Sequence, residues 1–266
     1  MRKDFTLILL FFFVLIACEE SIDKSISNSN TSTLIVEGIL TNEKKNHRIR
    51  LSQSYATQNS APTPVSGALV RVSDGATVYL VNETPVGSGN YLTESFLAVT
   101  GRTYALYIQY QGREYGANDS SVPVEPLPPL SLKKVNDRFQ LNFQNSGNSA
   151  NFIDHYIDWK SSGVCQAGEQ CEGKVVFYDL KNVDVNDLFK PGKAELTFPV
   201  NTTITRRKHS CSPTFQFFLR SMLSETEWRG GVFDVQRDNA ATNLSGGAMG
   251  FFAVTSVVED IYVVKP

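Results

Sequence analysis

Residues 33–52 read TLIVEGILTNEKKNHRIRLS, and residues 65–75 read VSGALVRVSDG. In the first stretch Leu34, Val36, Ile39 and Leu40 form an apolar run broken by Gly38, which suits a bulge or a close backbone approach. A charged turn over 42–46 follows. HRIRLS then puts Ile49 and Leu51 on one face, the period of two that marks a half-buried strand. In the second stretch Val65, Ala68, Val70 and Val72 repeat the pattern before the turn Ser73-Asp74-Gly75. This alternation of short strands and tight turns decides the fold class.

Working outward, 76–81 reads as a returning strand, 91–93 as another, and 103–110 (TYALYIQY) as a third, turned at Gln111-Gly112 into 113–115. Six or seven short strands with no crossover helix predict a β-sandwich over 33–120 rather than a parallel α/β layer. Four prolines in SVPVEPLPPL, 121–130, predict an extended, stiff linker. A second β-rich domain is expected over 131–266. Its strands are read at 139–143, 152–159, 174–178, 194–200 and 203–204, with a helical turn at 184–189. The second domain holds one substantial helix, near 212–228. Ser212 suits its N-cap and Pro213 its first turn, Phe215, Phe218, Leu219, Met222 and Leu223 recur at helical spacing, and Gly230-Gly231 ends it. The β-branched and aromatic run MGFFAVTSVVEDIYVV, 249–264, is expected to pair inside a sheet and close the second domain.

The chain has 266 residues, 25 basic and 27 acidic, for a net charge of -2. That balance argues against a broad nucleic-acid-binding surface. Arg2 and Lys3 precede an apolar run of thirteen residues, FTLILLFFFVLIA, and then Cys18. The run is short for a bilayer span, which needs about 20 residues. Its position marks an export signal over 1–17. Leu15-Ile16-Ala17-Cys18 resembles the bacterial lipobox, which implies diacylglycerol on the Cys18 thiol, cleavage before it and acylation of the new amine. Buried acyl chains contribute about 0.8 kcal/mol per CH2, and two or more hold a protein on a membrane. Residues 18–32 are polar and read as a lipidated flexible tether. Glu19 and Glu20 resemble the surface-export signals of Bacteroidetes lipoproteins, implying an outward-facing outer-membrane location.

The pattern VSGALVRVSDG followed by GRTYAL resembles Ig-like sandwiches of the transthyretin and carboxypeptidase-regulatory kind. Over nearly all of 33–262 the chain resembles the DUF4249 family of Bacteroidetes outer-membrane lipoproteins. The resemblance is carried by TLIVEGILTNEKKNHRIRLS, by Gly231, Phe233 and Asp234 after an aromatic helix, and by Asn243 before Gly247, Gly250, Phe251 and Phe252. Where many relatives have prolines after Asp234, this chain continues Val235-Gln236-Arg237-Asp238. The family brings no catalytic chemistry. It implies a non-enzymatic surface lipoprotein, an accessory or ligand-binding partner of a TonB-dependent transporter. A structural or adhesive module binding glycans or proteins is the alternative. A glycan-active enzyme with two carboxylates about 5–9 Å apart is a further one.

Cys18 carries lipid, so three cysteines remain. Cys165 and Cys171 enclose five residues and are the expected disulfide; pairing with Cys211 is the rival, and zinc binding fits the spacing poorly. His47, His155 and His209 lack metal-ligand spacing. No metal or cofactor is expected, although Asp179, Asp184, Asp187, Asp234 and Asp238 leave a structural calcium as an alternative. Arg206-Arg207-Lys208-His209 reads as a solvated, exposed turn, with Arg206 and Arg207 as alternative contacts for anionic glycans or headgroups. Trp228 beside Arg229 is either an exposed interaction anchor or a plug folded under the helix. Tyr156, Trp159, Phe177 and Tyr178 are read as core residues or as sugar-stacking surfaces.

Overall fold

In the computed structural model residues 33–55, 61–144, 147–166, 168–181, 188, 195–228 and 240–265 are described. The export signal, the tether, Cys18, Arg229, the glycines at 230–231 and the stretch after them lie outside these residues. So does the expected helical turn at 184–189, apart from Leu188. The alternation of the opening stretch becomes a hairpin of β1 (Leu34–Thr41) and β2 (Lys45–Gln53). The strands β3 (Thr63–Pro64), β4 (Leu69–Ser73), β5 (Val78–Glu83), β6 (Asn90–Phe96), β7 (Thr103–Tyr110) and β8 (Arg113–Ser120) follow. Gly38 sits in an unbroken ladder, and a Cβ there would press on Ile49 and Phe252. It marks the close approach; the register shift falls instead between Asn46 and Arg48.

The C-terminal half contributes β9 (Leu132–Val135), β10 (Arg138–Leu141), β11 (Asn151–Asp158), β12 (Glu172–Asp179), β13 (Thr203–Ser210), helix α1 (Pro213–Glu225), β14 (Met249–Thr255) and β15 (Val257–Val263). The span 194–200 forms no strand among its described residues, only a bridge between Phe198 and Phe139. Pro199 has no N–H with which to extend that pairing. The hairpin β9–β10 turns through Asn136 and Asp137, with Asn136 at φ 54°.

The expected sandwich strands assemble into a near-closed mixed sheet in the order β14-β1-β2-β6-β5-β4-β7-β8, with β3 on β2. Its one parallel pair among the described strands joins β1 to β14. Between the end strands β8 and β14, side chains take over from the ladder. The Asn243 amide donates to the Asn118 and Phe252 carbonyls at 3.0 and 2.8 Å and accepts from the Phe252 N–H at 3.2 Å. Asp119 accepts from the Val254 N–H at 2.8 Å. A second, antiparallel sheet runs β12-β11-β13-β15.

The run 249–264 was expected to close the second domain. It serves both sheets: β14 completes the first, and beyond Ser256 β15 forms an edge of the second. Phe252 and Val254 point into the first core, beside Val36, Leu51 and Ile108. Phe251 and Ala253 point the other way, against Phe215, Leu219 and Leu223 of α1. Burial on both faces explains why the sequence is continuously apolar here. Gly250, at φ 93°, is required because a Cβ would collide with the Val36 carbonyl. Thr33–Pro266 forms one unit by its internal contacts.

Helix α1 is capped as expected, the Phe215 N–H donating to Ser212 Oγ at 3.1 Å. It ends at Glu225, ahead of the glycines. The chain then folds back, and the Trp228 N–H donates to the Leu223 carbonyl at 2.8 Å. No described helix is long and apolar enough to cross a membrane. Cys165 and Cys171 are joined, with Cα atoms 5.9 Å apart. Cys211 is free and buried, and burial, with the nearby Asp119 charge, pushes its thiol up to about 12.

Candidate functional site

The sequence TITRRKHS, read as a solvated turn around its basic residues, is instead β13, a central strand of the second sheet. Strand alternation sends Thr203, Thr205, Arg207 and His209 to one face and Ile204, Arg206, Lys208 and Ser210 to the other. Arg206, Lys208 and His209 are all buried. The reading failed because four polar residues in a row carry no apolar alternation, yet each side has a partner for the charges.

On one face the partner is the proline-rich stretch. The Pro128 carbonyl accepts from Arg206 at 2.8 Å, that of Pro126 from Lys208 at 3.2 Å, and that of Val122 from Ser210 at 2.7 Å. Arg206 also pairs with Asp260 through two hydrogen bonds. Burial lowers the pKa of Lys208. Residues 121–130 are therefore a strap lying along β13, in addition to linking the two halves of the chain.

On the other face the register stacks three rows across the strands. Phe152, His209 and Val257 lie side by side, then Asp154, Arg207 and Glu259, then Tyr156, Thr205 and Ile261. The first row is closed off near α1: Phe152 stacks on His209 with centroids 4.5 Å apart and meets Phe215 edge-on. The third row is open, with Tyr156 42% and Ile261 65% exposed. Between them lies an open depression of about 490 Å³.

The β1–β2 turn supplies its other wall. Glu43 accepts from Arg207 at 2.7 Å on both carboxylate oxygens and from Lys45 at 2.6 Å. Arg207 also reaches Glu259 at 3.0 Å. Burial opposes ionisation of Glu43. The hydrogen bonds from Lys45 and Thr41, with the charges of Lys45 and Arg207, outweigh it and hold the carboxyl at about 2. Lys174 meets Asp154 at 2.9 Å and lies 5.0 Å from the Tyr156 ring centroid. Asp154 also faces His209 Nε2 at 3.8 Å. Burial holds His209 down to about 4, against the opposing Asp154 charge, so the ring is neutral at pH 7. Its Nδ1 lies 3.3 Å from Thr255 Oγ1, whereas Nε2 has no hydrogen-bond partner.

Of the residues singled out from sequence, Arg207, His209 and Tyr156 come together here. Arg206 lies on the opposite face. Trp228 is buried in the α1 cluster, the plug arrangement, and Trp159 and Phe177 lie away from the depression. Glu43, Lys45, Asp154 and Glu259 were missed; only the register of β11, β13 and β15, with the β1–β2 turn packed against them, brings them together. Asp179 is buried and paired with Lys181, while Asp184, Asp187, Asp234 and Asp238 lie outside the described residues. Among the described residues no group of three or more His, Cys, Asp or Glu is placed to hold a metal ion.

Residues 19–261 match the domain of unknown function DUF4249. The chain belongs to the DUF4249 family. No curated protein matches it. The match runs through both sheets of this DUF4249 domain, and so includes the successive strands β14 and β15, one in each sheet, and the charged face of β13.

Proposed function

We propose that this DUF4249 protein is a lipid-anchored, outward-facing lipoprotein of the outer membrane that acts without chemistry of its own, as an accessory or ligand-binding partner of a TonB-dependent transporter. The observation that carries the reading is the sequence Leu15-Ile16-Ala17-Cys18 behind a basic start and an apolar run, followed by Glu19-Glu20. A folded unit beginning at Thr33 leaves residues 19–32 between it and the lipid-bearing cysteine. Non-enzymatic action is supported by how the nucleophile-type side chains near β13 are engaged. The Cys211 thiol is held protonated, Ser210 donates to the strap, and Ser212 caps α1.

The test is affinity purification from gently solubilised outer membranes. Recovery with a barrel protein is expected, together with fatty-acid mass on Cys18 that Cys18→Ala abolishes. Recovery alone, from membranes in which the transporter is intact, contradicts the transporter role; an unmodified Cys18 contradicts the anchor.

A further inference from the structure

We infer that the open face between the β1–β2 turn and the second sheet is a binding site for a neutral saccharide, taken as part of a glycan chain. The inference rests on the reading of the protein as a binding module and names the ligand class for it. Three features of the face carry it.

The first is charge. Lys45, Lys174 and Arg207 stand against Glu43, Asp154 and Glu259, three of each sign, so the face is neutral with His209 uncharged. Every one of these charges already has an internal partner. An ionic ligand would have to break a pair to make a new one, while losing its own hydration. A hydroxyl group both donates and accepts. It can therefore bridge a carboxylate and a neighbouring cation without separating them. Adjacent hydroxyls on a sugar ring match adjacent donor–acceptor pairs.

The second is the pairing of polar and apolar rows. Asp154, Arg207 and Glu259 form one row, and Tyr156, Thr205 and Ile261 the next row on the same face, about 7 Å along the strands. A sugar ring has a hydroxyl rim and C–H faces. The rim fits the charged row, and the C–H face fits the exposed Tyr156 and Ile261. The Lys174 ammonium lies over one face of the Tyr156 ring, leaving the sugar the opposite face. Beyond Ile261 the next row carries Val263, 49% exposed, together with Asp158. An open strip of this kind takes a chain in preference to an enclosed single sugar.

The third is His209. Its side chain is more than nine-tenths buried, lines the depression, and has an Nε2 with no hydrogen-bond partner. Phe152 stacked on the ring and Thr255 at Nδ1 fix its orientation. The neutral ring closes this end of the site without adding a charge; its Nε2 is itself fully buried, so a bound hydroxyl meets the charged row in front of it.

The experiment uses the full lipidated protein in a non-glycosidic detergent. It is applied to an array of neutral glycans, with a galacturonate hexamer and a chitosan hexamer as charged probes, and hits are followed by calorimetry. Expected is saturable binding to at least one neutral glycan, tighter for the oligomer than for its free monosaccharide. The affinity should change by less than about twofold when salt is raised through the range that screens surface charge. Tyr156→Ala should weaken it about tenfold, as loss of an aromatic contact surface does. Tyr156 is exposed, and unchanged thermal unfolding of the variant confirms the fold. Ile261→Asp provides a second, independent loss. Absence of binding across the neutral array overturns the inference. So does tighter, salt-sensitive binding of either charged hexamer, or neutral binding that both variants leave intact. Because binding is measured on the isolated protein, a negative result leaves co-purification with a transporter standing, and the reverse also holds.

Discussion

The first sheet closes around Val36, Leu51, Val72, Ile108 and Phe252, all essentially inaccessible, whereas the second sheet buries Arg206, Lys208 and His209 in its central strand. The two regions solve burial differently. The first removes apolar area from water, at about 25 cal/mol per Å². The second must satisfy each buried donor, and uses proline-strap carbonyls, Asp260 and a charge network reaching Glu43 on the first sheet. A hydrophobic core loses burial and gains a cavity when a side chain is cut back. A polar one depends on partners, so losing one partner costs the desolvation of the group left behind.

The costliest change lies in β14. Phe252→Ala leaves a cavity among Val36, Ile49 and the rest of the first core, and should cost about 3–5 kcal/mol in denaturant unfolding. Next, Arg206→Ala strips partners from Asp260 and from the Pro128 carbonyl. Asp260 is 41% exposed and regains water, so a loss of about 2–3 kcal/mol is expected. Lys208→Met, which keeps the volume and removes the charge, should stay within about 1 kcal/mol of the parent. If Lys208→Met proved the costlier, the strap would depend on the ammonium and the contrast between the two cores would sharpen further.

A further effect concerns acid. His209 titrates near 4 when folded and near 6.5 when unfolded, because burial disfavours its charged form. Between those values the unfolded state binds more protons, so the stability contributed by neutral His209 is present above about 6.5 and lost as pH falls toward 4. His47 and His155 act in the same window and direction. Glu43 adds a later loss, from its ordinary carboxylate range down to about 2, as the pairs with Arg207 and Lys45 are given up. His209→Phe keeps an aromatic ring against Phe152, and should reduce the loss between pH 6.5 and 4 by about 1–2 kcal/mol. An unchanged acid slope would mean that burial does not depress the His209 pKa.

The same contrast decides what could be read from sequence. In the first sheet, Val70 and Val72 or Ile49 and Leu51 announce both strand and face, and the capped, periodic helix from Pro213 was legible for the same reason. β13 was not, because the alternation of TITRRKHS is between two kinds of polar partner. The sharing of 249–264 was hidden too. Continuous apolarity reports burial on both faces but not which sheets provide it, and Ser256 gives no turn signal. The depression was invisible as a site, since Glu43, Asp154 and Glu259 are far apart in sequence and meet only through the register of β11, β13 and β15 and the packing of the β1–β2 turn on them.

Strands β14 and β15 lock the two sheets into one unit, so that the β1–β2 turn and the charged face of β13 are held together as one site. Native-state hydrogen exchange at rising denaturant tests it most directly, comparing peptides from β7 and β8 with peptides from β11 and β13. Both sets should merge into one global opening with the same free energy, and Phe252→Ala should lower both by the same amount. Two separate openings, with Phe252→Ala lowering only that of the first sheet, would contradict it.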